Sequence, residues 1–158
     1  MLLFSIGMKK QVQTFIFFQI TNAKSFKKDL ANDIHPRLTT TTQMLNVHQQ
    51  PAVAVNIAFS QNGLDSLGIT ENLGDTAFTS GQASDANTLG DPGTKNWVPQ
   101  FTGTSIHFVI MLSSNSQDNI DNELAQIKST LDQSATEMYR LDGAARPGDQ
   151  EGHERTSP

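Results

Sequence analysis

The sequence has 158 residues, 36% of them hydrophobic, with 11 basic and 16 acidic side chains and a formal net charge of −5. That length suits one domain able to bury roughly 70% of its unfolded surface. The acidic balance opposes binding to a phosphate backbone, and the lack of cysteine excludes a disulfide framework, a thiolate metal site and a cysteine nucleophile.

Met1 to Met8 is apolar but short, with no basic residue before it and no small-residue cleavage site after it, so it does not read as a secretory signal. Phe15 to Ile20 is far below the roughly 20 residues of a membrane span. As written, the chain is expected to be soluble and intracellular, with no membrane or nucleic-acid partner.

Val12 to Thr21 alternates and is rich in Phe and Ile, which predicts a buried strand. Asn22 is placed to cap a helix whose Phe26, Leu30 and Ile34 share a stripe and which Pro36 ends near His35. Ala52 to Phe59 predicts a second strand with Val53, Val55, Ile57 and Phe59 on one face. Residues 60–103 form an insertion too long for a simple turn. It opens with a short helix capped by Ser60 and stopped by Gly68, followed by a Gly/Asp/Thr-rich stretch to Pro99. Thr104 to Ser113 predicts a third strand, with Ile106, Phe108, Ile110 and Leu112 on one side. A helix over about 116–133 then places Ile120, Leu124, Ile127 and Leu131 on one stripe. Ala135 to Leu141 predicts a fourth strand, after which Asp142-Gly143 turns the chain out of the sheet.

The order β-α-β, insertion, β-α-β predicts an α+β fold, a ferredoxin-like sandwich. The first strand carries Phe15 and Phe17 on one face and Ile16, Phe18 and Ile20 on the other. The third sets Val109 and Met111 opposite Phe108 and Ile110. Apolar residues on both faces require both to be covered. Helices cover one, and a second sheet is the natural cover for the other.

Several ordered segments resemble fungal dye-decolorizing haem peroxidases. They are Ile57-Ala58-Phe59-Ser60-Gln61-Asn62-Gly63-Leu64-Asp65, Asn72-Leu73-Gly74-Asp75, Leu89-Gly90-Asp91, the strand around Ile106-His107-Phe108-Val109, and Ala145-Arg146-Pro147-Gly148-Asp149-Gln150 leading to Gly152-His153-Glu154. The resemblance runs from about Ile6 to Glu154. It departs at the front, where Met1-Leu2-Leu3-Phe4-Ser5 precedes Gly7-Met8-Lys9-Lys10. It departs again at the end, where Thr156-Ser157-Pro158 stands in place of the family's Gly-x-x-Asp-Gly loop.

The resemblance implies half of a dimeric α+β barrel, with residues 1–10 as a displaced lead, 11–142 as the ferredoxin-like domain, and 143–158 as a loop toward a missing catalytic half. It implies a parent enzyme that uses haem b and hydrogen peroxide to oxidise dyes and phenolic compounds, often secreted by fungi. The distal Asp and Arg and the proximal His of that family fall beyond Pro158. The 158 residues alone are therefore expected to be inactive and to bind no haem specifically. Arg146, Asp149 and His153 are the residues implied to approach the haem. Their plainer reading is a Pro-Gly turn held by an Arg-Asp pair. The expected partner is the C-terminal ferredoxin-like half or a second copy. The alternative function is a non-catalytic interaction or oligomerisation module.

The other candidates are weighed on their residues. His107, on an apolar strand, reads as a packed core or cleft histidine, and His35 and His48 as surface loop residues. Asp85 and Asp91 match no Ca²⁺ loop and read as solvated or helix-capping carboxylates. Trp97 and Tyr139, each the only residue of its type, read as anchors against the sheet.

Overall fold

A computed structural model describes residues 10–46, 48–71 and 73–145. The strands are β1 (Val12–Ile20), β2 (Val53–Phe59), β3 (Phe108–Ser114) and β4 (Ala135–Ala144). They form one sheet in the order β2-β3-β1-β4, with every neighbouring pair antiparallel. Strands β1 and β2 are thus parallel with β3 between them, the split β-α-β arrangement that the sequence order predicts.

Helices α1 (Ala23–Asp29) and α6 (Gln117–Leu131) lie on one face. Asn22 caps α1 by accepting the Ser25 N–H at 3.1 Å. The turn then widens into a π-helical segment over Leu30–Ile34 and tightens over His35–Arg37, where Pro36 has no N–H to continue the ladder. The predicted stripe survives this irregularity, with Phe26 and Ile34 fully buried. On α6, Ile120, Leu124, Ile127 and Leu131 are all buried against Ile16, Phe18, Ile110 and Leu112 of the sheet. Phe108 stacks on Phe18 at 5.0 Å and meets Phe26 at 4.7 Å. Each such side chain contributes about 1.5–3 kcal/mol by leaving water.

Two strand ends differ from the sequence reading. Strand β3 begins at Phe108 rather than Thr104, because residues 104–107 bridge to the insertion instead. Strand β4 continues through Asp142 and Gly143 to Ala144, so that pair does not turn the chain away. Gly143 pairs with Gln13, and the Thr14 hydroxyl, wholly buried, donates to Asp142 Oδ1 at 2.6 Å. A β-bulge between Phe17 and Phe18 lets Met138 stand unpaired, which sets Tyr139 opposite Phe17.

The sheet edges are unequal. Thr39 lies along β2, its N–H donating to the Val55 carbonyl at 2.9 Å and its Oγ1 accepting the Val55 N–H at 3.0 Å. Thr40 next to it caps α2 (Thr41–Leu45) in a capping box with Gln43. This helix was not legible in the threonine run. The insertion supplies α3 (Gln61–Ser66), capped by Ser60 and closed at Gly68 with φ +72°, as expected. It then adds α4 (Thr76–Ser80) and α5 (Gln82–Asp85).

Candidate functional site

The helix-free face of the sheet is the first candidate. Strand register puts Asn56, Met111, Phe15 and Leu141 in one row and Ala58, Val109, Phe17 and Tyr139 in the next. Phe15, Phe17, Val109, Met111 and Tyr139 are only half-buried, and Leu141 is 50% exposed. The opposite face is closed almost completely. Two-sided apolar strands with one uncovered face form a surface made to be covered.

The insertion covers part of it with a residue that sequence reasoning missed. Phe101 meets Phe17 edge-on at 4.9 Å and Tyr139 at 5.4 Å, while Phe17 and Tyr139 stand 6.3 Å apart. Tyr139 is thus a sheet anchor, as expected. Among the described residues Trp97 pairs with no other aromatic ring. Its indole N–H donates to Asp91 Oδ2 at 3.1 Å, and Asp91 Oδ1 accepts the Gly93 N–H at 2.8 Å. Asp91 is therefore half-buried and bonded within the insertion, and it caps no helix among the described residues. It is the staple that folds the second part of the insertion, and Asp75 is the carboxylate that caps a helix, α4.

His107 fastens the insertion to the sheet. Its ring Nδ1 accepts the Ile20 N–H at 3.1 Å, and its backbone N–H donates to the Phe18 carbonyl at 2.9 Å. The Ser60 N–H and hydroxyl donate to the His107 carbonyl at 3.0 and 3.2 Å. Burial pushes the imidazole below its ordinary pKa, partly offset by a hydrogen bond with the Thr104 backbone. A ring whose Nδ1 must remain an acceptor is held neutral, so this is a structural histidine. His35 and His48 are exposed, as expected.

A charged network closes the other side of β4. Arg140 Nε donates to both Asp142 oxygens at 3.0 and 3.1 Å, and another guanidinium nitrogen reaches Asp121 at 3.1 Å. The Thr14 hydroxyl, then Arg140, hold the Asp142 carboxyl below its usual range. These groups tie α6 to the edge strand.

With Nδ1 accepting a backbone N–H, the neutral ring of His107 carries its proton on Nε2 and has no lone pair left for iron. No group of three His, Cys, Asp or Glu that could hold a metal ion occurs among the described residues. What they offer is an apolar, aromatic wall. Arg146, Asp149 and His153 lie outside the described residues. No helix among the described residues is long and apolar enough to cross a membrane.

Comparison with known proteins gives a consistent picture. The profile of the DyP dimeric alpha+beta barrel domain matches residues 4–147. Peroxidase 2 of Mycetinis scorodonius is 55% identical over 150 residues, covering 94% of this chain and 29% of that protein. The crystal structure of a decolorizing peroxidase from Auricularia auricula-judae aligns with a TM-score of 0.88 at 49% identity, covering 95% of this chain and 34% of that one. A dye-decolorizing peroxidase whose heme pocket was engineered for asymmetric sulfoxidation also aligns at 0.88 and 49%, covering 94% and 33%. The chain thus spans about a third or less of the length of each of these three proteins.

Proposed function

The chain belongs to the fungal dye-decolorizing peroxidase family as its N-terminal DyP dimeric α+β barrel domain, and on that premise we propose that it supplies one sheet wall of a haem peroxidase. The assembled enzyme would use hydrogen peroxide to oxidise dyes and phenolic compounds. The observation that carries this reading is the half-exposed apolar face of Phe15, Phe17, Tyr139 and Leu141, which an opposing sheet would cover.

In this reading the ferredoxin-like body, with the 60–103 insertion, runs from residue 11 to the end of β4 at Ala144. The residues after it would lead toward the catalytic half, with Arg146, Asp149 and His153 near the haem. When bound, haem supplies the redox chemistry. The residues of this chain shape and dry one side of its surroundings. His107 positions the insertion but does not ligate iron.

The test is peroxide-dependent dye oxidation by the purified chain with haemin, alone and after refolding with the remaining portion of the Auricularia enzyme. The expected result is a rate no higher than free haemin for the chain alone, and a haem-dependent gain when the two are combined. Turnover by the chain alone well above the haemin control would overturn the proposal that these 158 residues lack the catalytic groups.

A further inference from the structure

We propose that the cleft walled by the insertion binds a flat aromatic cation. It encloses about 920 Å³, within the roughly 300–1,000 Å³ of sites that hold drug-sized ligands. Phe78, Trp97, Val98 and Phe101 give it apolar and aromatic walls, and Asp85 and Asp91 are its charged groups. Among the described residues no Lys, Arg or His lines it.

Three details favour a cation. Asp91 fixes the Trp97 indole by its N–H, which locks the ring without using its face. Neither Trp97 nor Phe78 stacks on another aromatic ring among the described residues. The Asp85 carboxylate is half-buried and makes no hydrogen bond or ion pair among the described residues. A planar cation would stack on the aromatic wall, gain the attraction of a ring face for positive charge, and give Asp85 a partner. A sulfonated aromatic of equal size would meet two carboxylates with no compensating cation.

Trp97 is the only tryptophan in the sequence, so its emission reports directly on this cleft. The experiment titrates the purified chain with methylene blue, a planar cation, and in parallel with anthraquinone-2-sulfonate, a planar anion. The cation should quench Trp97 saturably at one-to-one stoichiometry and bind at least about tenfold tighter than the anion. Asp85→Asn should weaken the cation roughly two- to fivefold, and Asp85→Lys should abolish the preference for it. Leu141→Asp, on the outer sheet face, should leave the affinity unchanged. Equal affinity for the two dyes, no response to either Asp85 variant, or loss of binding in Leu141→Asp would each overturn the proposal. Because no haem is needed, the result stands whichever way the peroxidase test falls.

Discussion

Replacing Gly63 by alanine sets two opposing effects against each other at one atom. Gly63 sits inside α3, where the change should stabilise the helix by about 1 kcal/mol on propensity alone. The structure predicts the opposite sign. A Cβ built at Gly63 falls 1.9 Å from the His107 carbonyl oxygen and 2.7 Å from its carbon. Roughly 1.5 Å of movement is needed before that contact becomes ordinary. Both atoms are backbone, so no side chain can swing aside.

Moving α3 outward by that amount breaks the bond from the Ser60 N–H to His107 and the 2.7 Å bond from the Ser60 hydroxyl to the Ile106 carbonyl. Two such bonds are worth about 1 kcal/mol each, and overpacking adds about 1–3 kcal/mol. Set against the helix gain, the net loss should be about 2–4 kcal/mol. Urea denaturation followed by both Trp97 emission and far-ultraviolet circular dichroism measures it. Unchanged or increased stability of Gly63→Ala would refute the claim that α3 is seated on His107.

Two pH effects follow from the same contacts. Burial lowers the folded-state pKa of His107, so the unfolded chain takes up a proton first. Stability is full above about pH 6.5 and declines as pH falls through the lower folded value. His107→Asn keeps an acceptor for the Ile20 N–H and should flatten that limb in denaturation midpoints measured from pH 7 to 5. Asp142 is also lowered, chiefly by the Thr14 hydroxyl. Its contribution is present above the ordinary carboxylate pKa and lost as pH falls through the folded one. Asp142→Asn, which still accepts from Thr14, should show a smaller loss than wild type below about pH 4.

The sheet and its inner core were legible because their residues obey simple periods. Phe18, Ile110 and Leu112 alternate on strands, and Ile120, Leu124, Ile127 and Leu131 repeat on a helix, so burial follows from spacing. Asp142-Gly143 misled because the pair reads as a turn locally, while the bond from Thr14, 128 residues earlier, keeps it in the strand. Phe101 lies in an irregular stretch with no period, and nothing in Pro99-Gln100-Phe101 announces its contact with Phe17. The bond from Trp97 to Asp91 was equally hidden, since it is set by the local fold of the insertion and not by a repeat. The inward clash at Gly63 is a tertiary fact that the helix sequence cannot carry.

Sedimentation equilibrium of the chain, with and without the remaining portion of the Auricularia enzyme, tests the central claim most directly, with Leu141→Asp as the comparison. The account predicts that the wild-type chain associates, with itself or more strongly with that portion, through the outer sheet face. It predicts that Leu141→Asp, which alters a side chain already 50% exposed, keeps the same circular dichroism and remains monomeric. A wild-type chain that stays monomeric at every concentration and ignores the added portion would contradict it.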